Sequence, residues 1–336
     1  MIAEGAAAAR AASFVGREYG VVPSAVAAGG AGVEAEVWRV GRERASPLCL
    51  KWFRGPADRA LVERTILMDR LARRGLPFPR VHRTRSGEVV SALEGRAVVV
   101  VDWLDGGILD EFGAASAGAA GAVLAETHGV LAERRVPAPA SPPPWRTADV
   151  EEAVERCRSL RGRIRRLKER SALDDRIDEA LAARITDLRR ARELRAGLPE
   201  SSLELLHFDY TRPNLLFQGS RLTGVLDLQG IPGYAVWELG KIAFEPRTVA
   251  SRHDWLKVAL AAISAYQARR GRADVAAVAR MTILYNLFSL WGVWDRYDGG
   301  DRAVPTAHED YWLNRQTCAS VLLRSLEEVE TAVRGC

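Results

Sequence analysis

Lysine is scarce in this chain. Only Lys51, Lys168, Lys241 and Lys257 occur in 336 residues, so nearly all of the 48 basic side chains are arginines. Cysteine is as sparse: Cys49, Cys157, Cys318 and Cys336 are scattered, with no CxxC pair. That excludes a disulfide-dense scaffold and a zinc site built on paired cysteines, and it suits a reduced compartment. No run of about 18 apolar residues is present to span a bilayer. The opening MIAEGAAAARAASF breaks its alanine run with Glu4 and Arg10, unlike a signal peptide, so the expected compartment is the cytoplasm, with no membrane partner. Disorder is excluded by composition, since 48% of the residues are apolar. The length suits two domains at roughly 150 residues each.

Charge excludes less. The net +5 is a weak basis for nucleic-acid binding in an arginine-biased chain. Residues 156–195 hold 14 basic and 7 acidic side chains. They read as two solvated helices, and nucleic acid is not an expected partner.

Along the chain, an alanine-rich first helix precedes short strands over 25–53. A helix follows over 57–74, with Val62 and Ile66, then Leu67 and Leu71, at i, i+4 spacing. Gly75, Pro77 and Pro79 end it. A strand near 88–93 and an apolar one at Ala97–Val101 come next. After a helix over 115–133, the segment VPAPASPPPW reads as a linker. Helices are expected over 149–169 and 173–196, strands over 203–209, 214–218 and 222–228, and helix from 235 onward. The division is a nucleotide-binding lobe over 1–103 and a helical lobe over 104–336 that carries the 207–214 loop and the acceptor site.

The chemistry concentrates in ELLHFDYTRPNLLFQGSRLTGVLDLQG (204–230). His207, Asp209 and Asn214 form H-x-D-x-x-x-x-N, and Asp227 follows. Gly219-Ser220 suits a two-residue hairpin turn, which places Asn214 opposite Val225 with Asp227 diagonal to it. Oxygen-bearing side chains then converge at one end of an apolar hairpin. Such hard ligands suit Mg²⁺ bound together with phosphate oxygens.

In this loop and in what precedes it, the chain resembles the aminoglycoside phosphotransferase and choline kinase-like family of small-molecule kinases. The pieces arrive in the family's order: a glycine turn (Gly29, Gly30, Gly32), the strand lysine Lys51 in LCLKWF, the helix glutamate Glu63, GLPFP at 75–79, and a hinge strand ending VVDWLDG. The resemblance implies an α+β, bilobal protein-kinase-like fold, with a small β-rich N-lobe and a larger, mostly helical C-lobe. It implies Asp209 as catalytic base, Asn214 and Asp227 as Mg²⁺ ligands, and His207 as a structural member of the loop. Lys51 would clamp the nucleotide phosphates, oriented by Glu63, with Gly30, Asp102, Trp103 and Leu104 also at the nucleotide.

Two features depart from the family pattern: Phe208 stands where glycine is usual, and Glu238 replaces a second aspartate downstream. The implied activity is ATP- or GTP-dependent transfer of the γ-phosphate to a hydroxyl of a small molecule. An antibiotic is the favoured acceptor. The alternatives are a metabolite such as choline, homoserine or a sugar, or an inactive nucleotide-binding module. Residues 285–314 carry five acids against two arginines, together with Trp291, Trp294, Tyr297, Tyr311 and Trp312. Trp291, Asp295 and Asp298 are therefore candidate acceptor contacts, and Arg212 in the 207–214 loop is a further one. Monomer and homodimer both stay open.

Overall fold

A computed structural model describes residues 2–31, 34–136, 141–200, 202–271, 275–297 and 306–336. The chain divides into two compact units. One comprises Met1–Ile108, Asn214–Gln218 and Leu222–Gly230; the other comprises Leu109–Pro213, Gly219–Arg221 and Ile231–Cys336.

The first unit is an antiparallel sheet covered on both faces. Helix α1 (Ile2–Tyr19) leads into β1 (Ala25–Ala31), β2 (Ala35–Arg42) and β3 (Ala45–Phe53). Helix α2 (Arg59–Arg73), β4 (Val81–His82), β5 (Ser91–Leu93) and β6 (Arg96–Asp102) follow. The strand order is β1-β2-β3-β6-β4, with β5 also paired to β6. Alternation along β3 decides which face each residue serves. Leu48, Leu50 and Trp52 pack with Val98 and Val100 against Ala11, Phe14 and Val15 of α1. Cys49 and Phe53 turn the other way, into a cluster with Leu61 and Met68 of α2 and Val99 of β6. By the same alternation Lys51 lies on the α2 face, under a helix rather than at an open edge.

Helix α2 begins where Asp58 accepts a hydrogen bond from the Leu61 amide at 2.7 Å, a side-chain N-cap. Its inward stripe is Leu61, Thr65 and Asp69, joined by Leu67 and Leu71. Ile66, expected on the apolar face, is 46% exposed. Buried Asp69 explains the shift, because its carboxylate takes the Val81 amide at 3.1 Å and holds β4 to the helix. Strand β4, two residues long, leaves no alternation to read in the sequence.

The hairpin Leu215–Gln218 and Arg221–Val225 turns at Gly219-Ser220 as expected. Its backbone is tied to the first unit: Gly107 and Phe217 exchange hydrogen bonds at 2.9 and 2.8 Å, and the Val225 amide donates to Pro77 O at 2.7 Å. One detail of its register differs. Asn214 closes a 3-10 turn (Arg212–Asn214) instead of extending the strand, and its carbonyl accepts from Leu226 N at 2.9 Å, one residue beyond Val225.

The second unit is helical. Helices α3 (Ala114–Leu131), α4 (Val150–Arg165), α5 (Ala172–Leu188), α6 (Ala235–Ala243), α7 (Trp255–Arg270), α8 (Val278–Phe288), α9 (Thr306–Arg324) and α10 (Leu326–Arg334) make up most of it. The expected 173–196 helix stops at Leu188, and a separate turn of helix spans Ala191–Ala196. Glu204–Leu206 pairs antiparallel with Ile231–Gly233, a three-residue strand too short to announce itself in the sequence. Small residues in α3 let it lie close to α7. A Cβ on Gly121 would collide with the Ala262 carbonyl, so only glycine fits there. The arginine-rich helices are laced with ion pairs: Arg161 and Arg165 converge on Asp178 at 2.8 and 3.2 Å, and Arg170 meets Asp175 at 2.6 Å. Among the described residues, no helix is long and apolar enough to cross a membrane.

Candidate active site

In the first unit, Lys51 Nζ donates to Asp227 Oδ1 across 176 positions of sequence. A strand lysine and the carboxylate that follows the 207–214 loop thus meet at a cavity of about 50 Å³. Phe53, Leu61, Arg64, Thr65, Met68 and Gln229 are among the residues that line it. Glu63 is not there. Its carboxylate takes Arg59 Nε at 2.7 Å and is 54% exposed. Successive helix residues are about 100° apart. With Leu61, Thr65 and Met68 facing the cavity, position 64 falls on that side and position 63 does not. Among the described residues no ion pair joins Lys51 to Glu63, so the orienting role expected of that glutamate is not seen here.

The nucleotide-side candidates sit at the C-terminal end of β6 and on β1. Asp102 shares a hydrogen bond with His82 Nε2 at 2.7 Å. Trp103 lies against Gly29, where an added Cβ would come within 3.0 Å of the indole, and Arg39 covers its ring at 5.6 Å. Gly30 pairs with Val37 after a bulge in β1. Leu104 packs on the hairpin at Gly224. Burial pushes the neighbouring Cys49 thiol up to about 11; Lys51 opposes that shift and Asp227 adds to it.

Asp227 has φ 59° and Phe208 has φ 71°, two of the three non-glycine residues with positive φ among those described. Such strain persists only where the surroundings hold it, and it tends to gather at functional sites. In the second unit, the surroundings of Phe208 are plain. Lys241 Nζ donates to the Phe208 carbonyl and lies 4.3 Å from the Trp237 ring and 5.3 Å from the rings of Phe208 and Tyr285. Phe208 meets Trp237 edge-on at 5.2 Å. The residue that follows this clamped carbonyl is Asp209, partly exposed.

The other side of the loop is fixed by a fully buried histidine–carboxylate contact. His128 Nε2 contacts Glu238 Oε2 at 3.0 Å, and His128 Nδ1 shares a hydrogen bond with Tyr266 at 2.9 Å. Glu238 Oε1 accepts from Tyr210 N at 3.5 Å. Burial pushes the Glu238 carboxyl up, but the hydrogen bond and charge of His128, with Lys241 and His207, outweigh it and hold the group below its ordinary value. His207 is fully buried, edge-on to Tyr210 at 5.4 Å. Arg212 is turned to support: Nε meets Glu245 at 3.2 Å and an Nη reaches the Leu109 carbonyl at 2.7 Å.

Residues 26–277 match the phosphotransferase enzyme family. The chain belongs to it. A homoserine kinase from Beijerinckia indica is 31% identical over 169 residues, 48% of this chain but only 45% of that relative. The match therefore spans less than half of the relative's length. Among solved structures, the fold is similar to a spectinomycin phosphotransferase with ADP and spectinomycin (14% identity, 93% of this chain and 97% of that one, TM-score 0.66). It is also similar to an amicoumacin kinase in complex with AMP-PNP, Ca²⁺ and Ami (14% identity, 97% and 96% covered, TM-score 0.61). The α+β, protein-kinase-like architecture is the one these phosphotransferases share.

Within this family member, the aromatic candidates fall in the second unit. Tyr285 stands between Arg315, 4.3 Å from its ring, and Lys241. Burial pushes its phenol up, yet these two cations outweigh burial and bring it below its ordinary value. Tyr311 meets half-exposed Trp291 edge-on at 6.0 Å. Trp291 also lines a cavity of about 300 Å³ with Trp294, Phe288, Asp149, Glu152 and Arg156. Its acids come from the start of α4, ahead of the arginine-rich residues 156–195. The Asp295 side chain and Asp298 lie outside the described residues.

No group of three or more His, Cys, Asp or Glu among the described residues could hold a metal by itself. Asn214 and Asp227 offer an amide and a carboxylate oxygen. Mg²⁺ needs no more than one or two such protein ligands when nucleotide phosphates and water complete its shell. That donor set fits the ion.

Proposed function

We propose that this phosphotransferase moves the γ-phosphate of ATP or GTP to a hydroxyl of a small molecule. The observation that carries the reading is the meeting of Lys51 and Asp227 at one cavity. Lys51 holds the α/β-phosphates, and Asn214 and Asp227 hold Mg²⁺, which when bound neutralises charge on the phosphates. Asp209 accepts the proton of the acceptor hydroxyl. The attacking oxygen gains the phosphoryl group as the bond to the leaving nucleoside diphosphate breaks. All four residues are present, which argues against an inactive module.

For the acceptor we propose a ring-bearing antibiotic with positive charge. The aromatic cavity at Trp291 and Trp294, with Asp149 and Glu152, supports that class through cation–π and ionic contact. A second reading, an amino-acid alcohol such as homoserine, is favoured by the curated relative. Nucleotide consumption measured against aminoglycosides, other antibiotics, homoserine, choline and sugars tests both. Acceptor-dependent nucleoside diphosphate release supports the phosphotransferase reading, and the acceptor that turns over selects the class. Failure to bind ATP or GTP with Mg²⁺ would overturn it.

Two further outcomes are expected. ATP should raise Tm much more with Mg²⁺ than with EDTA; an identical rise in both buffers would remove Asn214 and Asp227 as metal ligands. Lys51→Met keeps the stem's bulk and removes the charge, so kcat should fall by about 10²-fold with Tm near wild type. Near-normal kinetics in a folded variant would make Lys51 an ordinary strand residue.

A further inference from the structure

We infer that Arg64 is a second cationic ligand of the nucleotide phosphates, in a place on α2 where an acidic side chain was expected. The inference rests on the nucleotide site proposed above. Arg64 lines the same cavity as Lys51 and Asp227, and its side chain is 22% exposed. It is aimed there by its position, three residues after Leu61 and four before Met68. The Phe53 ring, 5.6 Å from the guanidinium carbon, supports one face of the planar group.

Its present partners leave its charge available. One Nη donates to Gln229 Oε1 at 3.0 Å, a neutral amide. The other reaches Glu34 Oε2 at 3.2 Å, on a side chain 61% exposed. An ion pair open to water to that degree is weak and easily exchanged. The nearby Asp227 carboxylate is engaged by Lys51. A guanidinium at the cavity wall without a buried carboxylate of its own suits a phosphate, whose oxygens its fork can meet in pairs. Glu34 precedes β2 and Gln229 follows Asp227 by two residues, so Arg64 also links three segments of this unit around the cavity. On nucleotide binding, a phosphate oxygen replaces the Glu34 carboxylate as the acceptor of its Nη–H groups.

The test uses the full chain and calorimetric titration with AMP-PNP plus Mg²⁺ and, separately, with adenosine. Arg64→Met should weaken AMP-PNP by about 10- to 100-fold and leave adenosine affinity as in wild type. Arg64→Lys should restore part of the loss. Equal weakening of AMP-PNP and adenosine, or none of either, would overturn the assignment. Glu34→Gln separates a ligand from a strut and does not depend on the folding of the Arg64 variants. Releasing the guanidinium and removing a negative charge should tighten AMP-PNP, whereas a strut that loses its partner would weaken it. If wild type binds neither AMP-PNP nor GTP with Mg²⁺, the nucleotide site itself fails; if it binds and Arg64→Met binds equally well, only this inference fails.

Discussion

Asp209→Asn should lower kcat by about 10²–10⁴-fold, the usual worth of general-base help, while nucleotide affinity stays within a few-fold. Asparagine keeps the shape of the side chain and most of its hydrogen bonding, and it loses both the charge and the capacity to accept a proton. The loop that presents Asp209 is held from its neighbours: the Phe208 carbonyl by Lys241 and the Tyr210 amide by Glu238. Substituting Asp209 therefore leaves the scaffold in place, and Tm should remain near wild type. Steady-state kinetics with the acceptor found by screening, beside a melting curve, make the comparison. A wild-type kcat in a well-folded Asp209→Asn would remove Asp209 as the base.

Glu238→Ala should cost roughly 1–3 kcal/mol of stability, because it leaves the buried His128 ring without the carboxylate it meets at 3.0 Å. Across a domain of this size that amounts to a fall in Tm of roughly 2–12 °C. The pH dependence has a definite sign. The folded carboxyl is held below its ordinary value, so its contribution is fully present above the unfolded value of about 4.3 and is lost as pH falls through the folded one. Wild-type Tm should therefore drop on acidification below about pH 4.5, and Glu238→Gln should flatten that part of the profile. A Glu238→Ala variant with unchanged Tm would mean that the pair is not a keystone of this unit.

The loop and its hairpin were legible in the sequence because their signals are local. A two-residue turn, a motif of fixed spacing and a rare lysine in an apolar strand need no knowledge of distant packing. What escaped depends on helix facing. Glu63 and Arg64 are adjacent in sequence, and only the cavity-lining positions Leu61, Thr65 and Met68 decide which of them meets the cavity. Ile66 misled for the same reason: hydrophobicity assigned it to the core, whereas a buried Asp69 set the rotation. Asn214 slipped by one position because a 3-10 turn ended its strand early. Just ahead of the arginine-rich residues 156–195, Asp149 and Glu152 reach an aromatic cavity that no local signal in the sequence marks.

The left-handed backbone at Phe208 ties the stability of the loop to its neighbours. Glycine takes that conformation freely, whereas a phenylalanine resists it by about 1–2 kcal/mol and needs neighbours to hold it. Lys241 and Trp237 are those neighbours, through the carbonyl and the ring. The two positions are therefore coupled: loss of the Lys241 ammonium should cost more stability with phenylalanine at position 208 than in a Phe208→Gly background, where the backbone needs no clamp.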